Sequence, residues 1–514
     1  MRVLLLTGRL AAEDVRKAAE DFEWAEVKVL PIDVAALMTT SFVLGQLRGE
    51  DLTGYDYVLL PGWFRGDVRK LDEALGADFR LSSREVRDLP LVLRKMEEGF
   101  VPSKDVPACV LLRDEILQEL GKKVRDAERD IPERNWIDVG PVKIARGCRP
   151  RVLSEVFADD LSPEEAASEA EKRAELGAEI VDIGFHERPP GDVRRIVLEV
   201  LDRVGDRVAV SVDSGDPEVL EAGVEAGADL ILNASPDLKE PVDLAAEYDV
   251  PVVLVPGGRR PETVVRQLRE LIHLCERRDV DYILDPVMDP PGNIVESIVR
   301  YRVVAEEFPE APLFFGAGNV LELIDADSPG VSALCAQLAV ELECSIIFTP
   351  EASGKTKMST LELAVASRMC YVAHKFGGFP KDVGLDLVVF KDKRIDNVSA
   401  SGLDAEYFTS EPHRDVRGDF VILTDHDRRI LILEHRYGDD EPLRLESDDG
   451  LKLGAAAVSL GLLSDLHHAV YLGYELARAE ERLKSCGQYI QDDGIERYDR
   501  LLRDLKILEE VEES

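Results

Sequence analysis

Between Val142 and Pro350 the chain repeats one pattern: a short apolar run, a polar residue where that run ends, then a charged amphipathic stretch. The runs end as Ile180-Val-Asp-Ile-Gly184, Val208-Ala-Val-Ser-Val-Asp213, Leu230-Ile-Leu-Asn233 and Tyr282-Ile-Leu-Asp285. Continuous Val, Ile and Leu runs between helical segments indicate parallel strands buried on both faces. The pattern predicts strands over 142–144, 180–183, 208–212, 230–233, 252–255, 282–285, 313–315 and 346–348. Such a series fits a (β/α)8 barrel of about 250 residues, whose site lies at the C-terminal mouth of the strands. The helices carry matching punctuation. Ser162-Pro163-Glu164-Glu165 reads as an N-cap, a first-turn proline and acids at the positive end of the helix dipole, and Gly177 as its stop. Asp216-Pro217-Glu218 through Gly223 and Gly227 repeats the device.

The flanks have different textures. Val3–Leu6, Val27–Leu30 and Tyr57–Leu60 read as strands around a helical stretch at 11–22, which predicts a small open α/β sheet. It carries no GxGxxG and no phosphate-loop sequence, so a scaffold or docking role is preferred to nucleotide binding. A charged helix over 122–134 leads into the barrel. Past Gly377, Leu387–Phe390, Phe420–Thr424 and Ile430–His435 read as antiparallel strands, followed by one long helix over 455–484 and another over 496–513. The fold class expected is α/β: a Rossmann-like domain (1–137), a central (β/α)8 barrel (138–377) and an α+β domain (378–514).

Composition narrows the function. The formal charge of −39 over 514 residues disfavours nucleic acid, whose phosphates such a surface repels. No apolar window approaches the ~20 residues that span a bilayer, and the opening apolar run is broken by Glu13 and Asp14 too early for a secretory signal. A cytoplasmic protein without a membrane partner is expected. Its seven cysteines, scattered and without a CxxC pair, read as buried thiols.

The polar strand ends suggest a ligand. A flat heterocycle can present ring N–H and amino donors beside an oxo acceptor. Carboxylates accept the former, and an amide offers both functions. Asp213, Asn233 and Asp285 supply that mixture from equivalent strand ends.

The barrel motifs resemble the dihydropteroate synthase family. The matching pieces are Gly177-Ala-Glu-Ile-Val-Asp-Ile-Gly184, Arg188-Pro-Pro-Gly191, Val210-Ser-Val-Asp-Ser214, Leu232-Asn233 and Leu284-Asp-Pro286. With both flanks included, the chain resembles the archaeal dihydropteroate synthase-related proteins associated with tetrahydromethanopterin. The resemblance implies that Asp213, Asn233 and Asp285 hold the pterin, with Asp182 and Arg188 nearer the reacting end. It implies a transferase joining a dihydropterin-methyl diphosphate to an arylamine, with Mg²⁺ screening the diphosphate; no residue set is singled out as a metal site.

The family pattern is broken at three loops. The expected first loop reads Ala145-Arg-Gly-Cys-Arg-Pro-Arg151, the seventh Phe315-Gly-Ala-Gly-Asn-Val320 without a lysine, and the eighth runs from Phe348 to Lys357 without Arg-x-His. Arg146, Arg149, Arg151, Lys355 and Lys357 are the candidate replacements for binding a diphosphate, with Lys355 counted as catalytic. Gly316-Ala-Gly-Asn-Val320 is similar to the seventh loop of pterin-dependent methyltransferases, which would make Asn319 a catalytic amide beside pterin N5. A turn role for Asn319 also stands. Methyl transfer would bring a corrinoid on a partner protein, since no corrinoid-ligand sequence is visible here. A non-catalytic pterin-binding protein and a homodimer complete the alternatives.

Overall fold

The computed structural model describes residues 1–393, 415–438 and 441–492. They fall into two compact units: Met1–Ala352 with Met358–Asp392, and Ser353–Lys357 with the chain from Lys393 onward.

The first unit opens with four parallel strands, β1 (Val3–Thr7), β2 (Ala25–Val29), β3 (Tyr57–Leu60) and β4 (Phe79–Leu81), in the order β2-β1-β3-β4. β1 and β3 are buried nearly throughout, as expected of a parallel sheet covered on both faces. The expected boundary at 137/138 does not separate compact units. Helix Arg113–Glu128 packs on helix Ser359–Lys375, and its Leu120 and Val124 belong to the barrel's outer core.

A two-stranded antiparallel hairpin follows, β5 (Ile137–Val139) and β6 (Val142–Ile144). Its turn passes through Gly140 at φ +53, and a Cβ there would meet the Asp229 carboxylate at 2.5 Å. This hairpin corrects the expected first barrel strand at 142–144. Ile137, Val139, Val142 and Ile144 pack against Leu153, Ile180, Ala209 and Leu230, the residues at the N-terminal ends of the true barrel strands. The hairpin thus plugs the bottom of the barrel.

The barrel is built from β7 (Arg151–Phe157), β8 (Ile180–Gly184), β9 (Ala209–Asp213), β10 (Leu230–Ala234), β11 (Val252–Leu254), β12 (Tyr282–Leu284), β13 (Phe314–Gly316) and β14 (Ile346–Thr349). All ladders are parallel, and β14 pairs back onto β7. Between β12 and β13 a single bridge, Leu284 to Leu313, completes the ring. The architecture is the (β/α)8 barrel that the strand pattern predicts, with its first strand moved to Arg151–Phe157. The capping box at Ser162 and Glu165 is present.

The second unit carries an antiparallel sheet, β15 (Asp419–Asp425), β16 (Ile430–Arg436) and β17 (Leu443–Ser447), against helices Gly450–Ser459 and Leu466–Lys484. The single helix expected over 455–484 is two, because Gly461 turns at φ +67 and Asp465 caps a new start. Leu387–Phe390 is irregular rather than a strand, and the preceding Leu385 and Leu387 itself pack against the barrel core. The helix expected over 496–513 lies outside the described residues. All seven cysteines are free, and five are buried. No helix among the described residues is long and apolar enough to cross a membrane.

Candidate functional site

Four parallel strands in sequence deliver one polar side chain each to the C-terminal mouth. Glu155 lies on β7, Asp182 on β8, Asp213 at the last residue of β9 and Asn233 on β10, with Glu155 paired to Asp182 in register. One carboxylate oxygen from each of Glu155, Asp182 and Asp213 lies within 4.8 Å of the others. Asn233 donates its amide N–H to Asp213 Oδ1 at 3.1 Å, which leaves the amide oxygen as an acceptor. Asp285 follows β12 directly, accepts from the Val287 backbone N–H at 2.7 Å, and receives the Tyr301 hydroxyl at 3.2 Å.

The electrostatics follow from burial. Asp182 is fully buried, and Ser211 satisfies its Oδ1 at 2.6 Å, while Oδ2 has no partner. Burial, then the charges of Asp213 and Glu155, push its carboxyl well above the usual range. Burial and the Asp213 charge raise Glu155 to about 8. Asp213 is raised by burial against the opposing effects of His186 and Asn233. Asp285 is pushed up to about 6 by burial, countered by its hydrogen bonds and by Arg259 and Arg300. Three carboxylates this close cannot all ionise without a compensating positive charge. The donor set is all oxygen and the orphaned Asp182 oxygen points to an absent partner, so the trio fits a hard divalent cation.

The remaining expected residues divide. Arg188 lies at the mouth, but it staples loops: Nη2 donates to the Leu161 carbonyl at 2.8 Å and Nη1 to that of Asp159. Asn319 is exposed in the first turn of helix Gly318–Leu323, after β13, and donates to the Met288 carbonyl at 2.8 Å. It ties the seventh loop to the sixth, and its amide oxygen remains available. Lys355 and Lys357 belong to Ser353–Lys357, which clusters with the second unit, so they are not counted in the barrel's own site.

Arg146, Arg149 and Arg151 require correction. Arg146 and Arg149 precede β7 and Arg151 opens it, so they sit at the N-terminal end of the barrel, across its length from the carboxylates. Each is held in an ion pair there: Arg146 with Glu343 at 3.2 Å, Arg149 with Glu179 at 2.5 Å, and Arg151 with Glu128 at 2.9 Å. The cause is the hairpin. Taking β6 for the first strand turns the segment between hairpin and barrel into a mouth loop. The same misassignment hid Glu155. The signal for it was present, because Val152-Leu-Ser-Glu-Val-Phe157 runs straight into the Ser162 helix cap, as every other strand runs into its helix. Tyr301, which holds Asp285, lies in no motif, and Ser211, which holds Asp182, lies inside Val210-Ser-Val-Asp-Ser214 without being singled out.

Residues 154–286 match the family described as pterin binding enzyme, and 414–492 and 1–82 match families described as PterinBD-DUF4346 and as a family of unknown function (DUF6513). The chain is 30% identical to the uncharacterized protein MJ0107 of Methanocaldococcus jannaschii over 96% of its own length and 98% of that protein's. A probable bifunctional folylpolyglutamate synthase/dihydropteroate synthase of Halobacterium salinarum is 40% identical over 102 residues, covering 18% of this chain and 12% of that one. Among solved structures, dihydropteroate synthase from Xanthomonas albilineans in complex with 7,8-dihydropteroate covers 45% of this chain and 98% of its own, at 23% identity and a TM-score of 0.36. The chain belongs to the family of the Methanocaldococcus protein, archaeal dihydropteroate synthase-related proteins built around a pterin-binding barrel.

Proposed function

We propose that the barrel is a transferase of the dihydropteroate synthase type. In this reading Asp213, Asn233 and Asp285 hold the aminopyrimidine edge of a dihydropterin-methyl diphosphate, and an arylamine nitrogen attacks the methylene carbon as diphosphate leaves. The supporting observation is the convergence of Glu155, Asp182 and Asp213 within 4.8 Å, one of them with an orphaned oxygen, beside the Asp213–Asn233 pair. These three would hold a divalent cation such as Mg²⁺, which when bound supplies the positive charge that a leaving diphosphate requires. The protein's own part is positioning. Asp213 and Asn233 present acceptor and amide side by side, and Tyr301 and the Val287 N–H fix Asp285 so that its second oxygen faces a donor. No covalent enzyme intermediate is needed.

The family's lysine is missing from the seventh loop, and Asn319 stands there with its amide oxygen available. That observation favours a second reading, methyl transfer from a tetrahydropterin, with Asn319 beside N5 and a corrinoid protein as acceptor. One pair of assays separates the readings. Purified protein is incubated with dihydropterin-methyl diphosphate, an arylamine and Mg²⁺, and diphosphate release is followed. In parallel it is given methyl-tetrahydropterin and cob(I)alamin. Diphosphate release is the expected result. Methyl transfer without it, abolished in Asn319→Ala, establishes the second reading, and silence in both with pterin still bound leaves a pterin-binding protein.

A further inference from the structure

At the opposite end of the barrel from the carboxylates lies a cleft of about 630 Å³. This volume is within the ~300–1,000 Å³ usual for small-molecule sites. Its lining holds six basic side chains, Arg125, Lys143, Arg149, Arg151, Arg207 and Arg368, against two acidic ones, Glu128 and Glu179. That local excess stands in a chain whose formal charge is −39.

The ion pairing inside the cleft is incomplete in a specific way. Arg149 and Arg151 share Glu179 and Glu128 between them. Arg207 is turned to Glu171 at 3.6 Å, and Lys143 to Asp138 at 3.3 Å. Arg125 and Arg368 have no carboxylate within ion-pair distance among the described residues. Among the described residues the guanidinium of Arg368 makes one hydrogen bond, from Nη1 to the Ala364 carbonyl of its own helix at 2.6 Å, so Nε and Nη2 are left for a ligand. Burial, then the charge of Arg149, pulls the Arg368 pKa down to about 10, the direction expected of a guanidinium short of counter-charge. Leu117, Leu120, Val124 and Val142 give the same cleft an apolar wall.

We propose that this cleft binds a phosphorylated small molecule bearing at least two anionic groups, held by Arg125 and Arg368 beside the paired Arg149 and Arg151, with its organic part on the apolar wall. Guanidinium forks suit phosphate oxygens in pairs. A ligand there stands at the feet of the strands whose far ends carry Glu155, Asp182 and Asp213, because Arg151 opens β7 while Glu179 and Arg207 lie just before β8 and β9. It is therefore a second site, separate from the mouth.

The test is calorimetry on the full chain in EDTA, with pyrophosphate and ATP as probes and inorganic phosphate as the single-anion comparison. EDTA removes the divalent cation through which the acidic mouth could hold a polyphosphate. Saturable binding of pyrophosphate or ATP is expected, weakened by added KCl, and roughly tenfold weaker in the double variant R125Q/R368Q. Asp285→Asn, at the mouth, is expected to leave it unchanged. No saturable binding of either probe below about 1 mM, or equal binding in R125Q/R368Q, overturns the proposal. Should the double variant not fold, hydrogen exchange on the wild-type protein decides. Pyrophosphate is expected to protect helix Arg113–Glu128, and absence of that protection overturns the site.

Discussion

Ser211 donates its hydroxyl to one oxygen of Asp182 at 2.6 Å and leaves the other, equally buried, with nothing. In the proposed complex a cation would give that oxygen its partner and offset the charge of the two carboxylates beside it. Wild-type protein is therefore expected to melt at a higher temperature with millimolar Mg²⁺ or Mn²⁺ than in EDTA. Glu155→Gln is expected to keep the fold and to lose that shift, as ligand binding to the native state alone requires. An unchanged shift in this variant would remove Glu155 from the ligand set.

Asp213 meets the pterin edge in the proposed complex while Asn233 holds its Oδ1. Replacing Asp213 by Ala leaves pterin N–H donors and the Asn233 amide unpaired together. The expected loss of pterin affinity is about 1–3 kcal/mol or more, read by calorimetry.

Asp285 sets a pH dependence. Its native pKa of about 6 lies above the ordinary 3.8, so the folded protein holds the proton more tightly than the unfolded chain between those values. Its contribution to stability is thus full at low pH and falls as pH rises through about 6. Pterin binding runs the other way, because only the carboxylate accepts two N–H groups. Affinity is expected to rise between pH 5 and 7.5 in the wild type and to be flat and weak in Asp285→Asn.

The arginines at the foot of β7 are expected to matter for folding and not for turnover. Arg151→Gln takes the paired guanidinium, now at 2.9 Å, from a mostly buried Glu128 and leaves it the Arg149 backbone N–H. Loss of one member of such a pair costs about 3–5 kcal/mol. Chemical denaturation is expected to show that loss, while the folded fraction keeps wild-type pterin affinity.

In the second unit, Asp415 accepts from the Ser464 hydroxyl and N–H, the Asp465 N–H and the Arg417 N–H, which together hold its pKa far below the usual range. Its stabilisation is present above the ordinary carboxylate range and fades as pH falls. Asp415→Ala is expected to destabilise this unit by about 1–3 kcal/mol, seen as hydrogen-exchange loss around Ser464.

Much of this fold is readable in the chain because parallel strands buried on both faces must be apolar throughout, so a single Asp or Asn in them stands out. Asp182, Asp213, Asn233 and Asp285 were visible for that reason. Glu155 was not, since naming it needed the correct first strand. The choice between Val142–Ile144 and Arg151–Phe157 depends on whether the former turns back at Gly140 or enters the ring. Both are short, apolar and plausible. Only the packing of the hairpin against the strand bases decides between them. Antiparallel pieces in the second unit were partly legible from turn residues, whereas the break at Gly461 lay inside an unbroken helical period.

The single bridge between β12 and β13 has a mechanical meaning. Where other neighbours are joined by ladders, the upper part of this seam is held by one phenol. Tyr301 shares its single O–H between the Phe314 carbonyl at 2.9 Å and Asp285 at 3.2 Å, and takes the Gly316 N–H at 3.4 Å. The ring is a bracelet with a clasp, and the clasp shares a carboxylate with the proposed pterin site. A ligand that engaged Asp285 would therefore draw on the same carboxylate that helps fasten the bracelet.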